Sequence, residues 1–106
     1  MTDIEIRAFE ERIVFVLKNI YDPEVPVNIY DLGLIYEVKS DKDGNVRILM
    51  TLTSPNCPVA ESLPAQVREE VSFLKEVKEI DLELTFEPPW SQDMITEEAK
   101  LELGFL

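Results

Sequence analysis

The chain has 106 residues, 45% of them hydrophobic and 30% charged, the make-up of one domain with a real core rather than a disordered or fibrous segment. Its 22 acidic residues against 10 basic ones leave a formal charge of −12, which repels a nucleic-acid backbone or an anionic membrane and attracts cations or a basic protein face. There is no histidine, which removes Cys-His and Ser-His-Asp catalysis, and one cysteine cannot form an internal disulfide, a CxxC redox pair or a structural zinc site.

The N-terminal MTDIEIRAFEER is charged and patterned as a helix, not as a signal peptide. No apolar run approaches the roughly 18 residues of a membrane span, and with the lone cysteine this points to the cytoplasm. Residues Thr2 to Asn19 read as a helix. Thr2 and Glu5 have capping-box spacing, and Ile6, Phe9, Ile13, Val16, Leu17 and Ile20 share one face opposite Arg7, Glu10, Glu11 and Lys18. The stretch YDPEVPVNIYDLGL then breaks the period. It reads as an ordered loop stiffened by Pro23 and Pro26, with a short helical turn near Val27–Tyr30. Gly33 marks a backbone angle or a close approach that a side chain would forbid.

Two strands follow, Leu34–Val38 and Val46–Thr53, joined by the turn Asp41–Asn45 with its Asp43-Gly44 signal. In the second, Val46, Ile48, Met50 and Leu52 point one way, and Arg47, Leu49, Thr51 and Thr53 the other. A helix between Pro58 and Lys75 has an apolar face of Ala60, Leu63, Val67, Val71 and Leu74; Pro64 either kinks it or marks a restart after Ser62. A third strand spans Val77–Phe86 and enters the sheet by a crossover, which calls for a parallel neighbour. Pro88 and Pro89 end it. Ser91 or Asp93 is placed to cap a short last helix that Gly104 stops, and Trp90 is expected to pack at a core corner. The fold class is α+β: a single domain over residues 1–106, a two-layer sandwich of about three strands in a small mixed sheet, in the order α-β-β-α-β-α.

Chemistry concentrates at Cys57. Pro58 suits the first position of a helix, which makes Cys57 an N-cap whose neighbouring N–H groups favour a thiolate. Thr51, Thr53 and Ser54 bring hydroxyls to the same strand end. On the residues alone two readings stay open, a reactive or ligating thiol and a small buried hydrophobe. Asp22 and Glu24, each taken alone, read as a turn residue and a solvated charge.

These residues resemble a known signature. Asp22-Pro23-Glu24, Pro26-Val27 and Asp31-Leu32-Gly33, then Thr51, Thr53, Cys57 and Pro58 in TLTSPNCP, then the closing PPW segment, are similar in order and spacing to the MIP18 family, also called the DUF59 or iron–sulfur assembly domain. Asn56 stands where many members have glycine, and the cysteine-bearing C-terminal extension of members in phenylacetate degradation is absent up to Leu106, so the likeness is to the SufT-like minimal stand-alone form. The resemblance implies an α/β domain that matures iron–sulfur proteins, with a shared polar cluster of Asp22, Glu24, Asp31, Thr51, Thr53 and Cys57.

Cys57 is then the candidate ligand of a transient iron–sulfur cluster or iron, with no tightly bound cofactor. Clusters usually take about four thiolates, so one cysteine per chain, or two in a homodimer, suits handover better than storage. Expected partners are assembly or client proteins, with no nucleic acid and no membrane. A non-metal-binding adaptor is the alternative. An enzyme with Cys57 as nucleophile ranks last for want of a base.

Overall fold

The computed structural model describes residues 1–22, 26–53 and 62–104. Helix α1 (Asp3–Leu17) begins at the capping box predicted from the sequence: the Thr2 hydroxyl accepts from Glu5 N, and the Glu5 carboxylate accepts from Thr2 N. Strands β1 (Ile35–Ser40) and β2 (Asn45–Met50) form an antiparallel hairpin, with a register shift between Ile35 and Glu37. Asp41 holds the turn, its carboxylate accepting from Asp43 N, Asn45 N and Asn45 Nδ2. Helix α2 is described over Ser62–Ser72, and β3 (Glu79–Leu84) returns parallel to β2, in the order β1-β2-β3. A 3-10 turn at Gln92–Met94 leads into α3 (Glu97–Leu103).

Helices α1 and α2 touch each other and lie against β1 and β3 respectively, which makes the predicted two-layer α+β sandwich. Phe9, Ile13 and Leu17 from α1, Leu63, Val67 and Val71 from α2, and Val46, Ile48 and Met50 from β2 fill the interface. An ion pair between Arg12 and Glu76 ties α1 to the chain after α2. On the open face of the sheet Arg47 lies between Glu83 at 2.8 Å and Asp81 at 2.9 Å, and the Glu83 bond leads in pushing its guanidinium pKa up. Among the described residues no helix is long and apolar enough to cross a membrane.

Two local expectations are corrected. Strands β2 and β3 are shorter than the alternation suggested, while β1 runs on to Ser40; β2 leaves the ladder after Met50, and Met50, Thr51 and Leu52 are all buried. Pro64 is the third described residue of α2 and is buried, and the segment just before Ser62, on which the choice between a kink and a restart turns, lies outside the described residues. The last helix is capped by Thr96, whose hydroxyl accepts from Ala99 N; Ser91 instead precedes the 3-10 turn and makes no side-chain cap. Gly104 does end α3, at φ 81°.

Candidate functional site

The signature loop is built around one capped helical turn. Asn28 opens it: its Oδ1 accepts from Asp31 N at 2.8 Å, and its Nδ2 donates to Asp31 Oδ2 at 2.9 Å. Leu32 N donates to Asn28 O, closing one α-type bond. Gly33 ends the turn at φ 87°, and the two bonds of a Schellman motif follow, Leu34 N to Ile29 O and Gly33 N to Tyr30 O. Ile29 and Leu34, the apolar pair such a motif brings together, are both fully buried. The Asp31-Leu32-Gly33 motif is therefore a helix stop, and the Asp31 carboxylate serves in the turn's cap.

The C-terminal motif packs on this turn. Trp90 Nε1 donates to Leu32 O at 2.7 Å, and Thr96 N donates to Asp31 O at 2.9 Å. A Cβ on Gly33 would lie 2.5 Å from Met94 O, so the glycine is needed for close approach as well as for its angle. Tyr36 adds a further tie, its hydroxyl donating to Pro88 O at 2.7 Å. Two motifs far apart in the sequence are thus one structural unit. Trp90 is the half-buried corner packer expected, and it is also a hydrogen-bond donor.

Of the six candidate residues, Asp22, Asp31, Thr51 and Thr53 are described, while Glu24 and Cys57 lie outside the described residues, as does the expected N-cap role of Cys57. Asp22 is 5% exposed and sits in the neck of the loop, its N–H donating to Val27 O beside the Tyr21–Asn28 bridge. Thr51 is fully buried rather than on an open sheet face; its N–H donates to Leu34 O at 2.8 Å, and its hydroxyl reaches Leu52 O at 3.5 Å. That backbone bond joins the end of β2 directly to the Gly33 turn. Thr53 is half-buried. The residues that sequence reading passed over are Asn28, Met94 and Thr96. Asn28 carried a signal, a capping residue three places before Asp31 and five before a glycine.

Asp22 and Thr51 are the buried polar residues among those described. Burying such groups is costly unless they are satisfied, and among the described residues no buried side-chain nitrogen or oxygen lacks a partner. Among the described residues no three His, Cys, Asp or Glu side chains converge on a common point. A groove of about 610 Å³ between α1 and β1, with Phe15, Lys18 and Tyr36 on its walls, contains none of the candidate residues.

The sequence and the fold are shared with other proteins. A family model described as iron–sulfur cluster assembly protein matches residues 10–100. The chain belongs to this family. It is 57% identical over 102 residues to a protein of Porphyromonas gingivalis called Fe-S protein maturation auxiliary factor, a match covering 96% of this chain and 97% of that one. A Bacillus subtilis relative, Fe-S protein maturation auxiliary factor YitW, is 40% identical over 97 residues, covering 92% and 95%. The crystal structure of a DUF59 domain from Bacillus anthracis superposes with a TM-score of 0.91 at 36% identity, covering 99% of this chain and all of that one.

Proposed function

We propose that this chain is an iron–sulfur protein maturation factor that hands iron or a cluster to client proteins, with Cys57 as the ligand and Asp22, Glu24, Asp31, Thr51 and Thr53 shaping its surroundings. One observation carries the reading: the two buried polar side chains found among the described residues, Asp22 and Thr51, both belong to the signature segments. The near full-length match to two relatives named as maturation auxiliary factors supports it. The role is transfer rather than catalysis, since the chain has no histidine to serve Cys57 as a base. A single thiolate with carboxylate neighbours makes a weak and exchangeable iron site, which is what release to a client requires. The cargo is held briefly, so the working assembly includes a protein that gives and a protein that takes. The field of −12 favours basic faces on both.

Anaerobic reconstitution with iron and sulfide, followed by visible absorption, tests this. Cluster bands are expected in the wild type and not in Cys57→Ser. No bands in either protein would overturn the carrier reading and leave an adaptor that bridges assembly machinery and clients without touching metal.

A further inference from the structure

We infer that Trp90 is a positioning residue, whose indole N–H fixes the Asn28–Leu34 turn and, through it, the buried Thr51; the functional weight of this rests on the carrier reading above. The Leu32 carbonyl is the key atom. It stands at the end of the capped turn, where the Schellman bonds use the carbonyls of Ile29 and Tyr30 and leave that of Leu32 without a backbone partner among the described residues. Leu32 is fully buried, so water does not replace one. Trp90 Nε1 supplies the donor at 2.7 Å from a half-buried ring. The next carbonyl along the chain beyond Gly33, that of Leu34, accepts from Thr51 N. A single donor from the C-terminal segment therefore completes the turn that holds the end of β2. Phenylalanine keeps the aromatic packing and deletes only the donor, which leaves a buried acceptor unmet.

Amide hydrogen exchange by NMR tests the coupling. In Trp90→Phe, exchange at Gly33, Leu34 and Thr51 is expected to quicken about ten-fold or more, while Lys39 and Arg47 in the hairpin change less than about two-fold. An equal rise at all five amides, or none at Thr51, would overturn the inference. The wild type gives a second measurement that needs no folded variant. If one opening event frees both groups, the Trp90 indole proton and the Thr51 amide open with equal free energy, and protection factors that differ by more than about ten-fold would overturn the coupling. In iron–sulfide reconstitution, Trp90→Phe is expected to retain less than about a third of the wild-type cluster absorption. If the wild type forms no cluster, the carrier reading fails and the exchange data still decide the role of Trp90.

Discussion

Replacing Gly33 with alanine removes two things at once, and the structure separates them. At φ 87° an L-residue pays about 1–2 kcal/mol for the left-handed conformation, less the fraction of a kcal/mol that alanine recovers from a less flexible unfolded chain. The added Cβ would also stand 2.5 Å from Met94 O and 2.8 Å from Met94 Cβ, a backbone-level overlap that the neighbour relieves only by moving away. Overpacking of this kind costs about 1–3 kcal/mol, for a total near 2–4 kcal/mol. In a domain of this size that lowers the melting temperature by about 10–25 °C. Gly104→Ala is the matched control: φ is 81°, but nothing lies within 4 Å of the new Cβ, so only the conformational part, about 1 kcal/mol, remains. Urea unfolding read by far-UV circular dichroism and by the single tryptophan, which sits on this turn, measures both. If Gly33→Ala costs no more than Gly104→Ala, the packing of the C-terminal segment on the turn is wrong.

Asp41 makes a pH prediction. Hydrogen bonds from the Asn45 side chain, then from the Asn45 backbone, hold its carboxyl below the ordinary value of 3.8. Its folded pKa lies under its unfolded one, so its contribution to stability is present above 3.8 and is lost as the pH falls through the folded value. Its NMR titration midpoint should therefore rise toward 3.8 in Asn45→Ala; an unmoved midpoint would refute the assignment. Thr51→Val keeps shape and removes a hydroxyl whose bond among the described residues, to Leu52 O, is long at 3.5 Å. Stability is expected to change by less than about 1 kcal/mol while cluster loading falls, which a thermal melt and the reconstitution assay read together. A melt that collapses with the loading would make Thr51 a packing residue only.

Most of the fold was legible because it is written in local patterns. The α1 stripe from Phe9 to Leu17, the Thr2–Glu5 box, and the Asp43-Gly44 turn each involve residues within a few places of one another. The crossover from β2 to a parallel β3 follows from the helix between them. What the pattern misplaced was misplaced by distant partners. Alternation puts Thr51 with Arg47 on the open face, and this is correct up to Met50. Beyond it Leu34, from the loop before β1, pairs with the Thr51 backbone, and the threonine is buried. No period in the sequence announces a contact across that separation.

The candidate site divides along the same line. Motif resemblance gathered Asp22, Glu24, Asp31, Thr51, Thr53 and Cys57 into one polar cluster, but it treats every signature residue alike, and the geometry of the four described ones does not. Asp31 binds Asn28 and, through its carbonyl, Thr96 N, so it helps to build the turn itself. Gly33 is accounted for by its angle and by Met94. Asp22 and Thr51 are different. Both are buried polar side chains in signature segments. A carboxylate held at 5% exposure and a fully buried hydroxyl each carry a desolvation cost that polar partners must offset. The signature thus holds two kinds of residue. Asn28, Asp31, Gly33, Trp90, Met94 and Thr96 build a rigid joint, and Asp22 and Thr51 are what that joint keeps in place. Substitutions in the first group should lower stability and cluster loading together. Thr51→Val should lower loading at nearly constant stability. That separation, measured residue by residue, is the property that a list of signature residues does not contain and the hydrogen-bond map does.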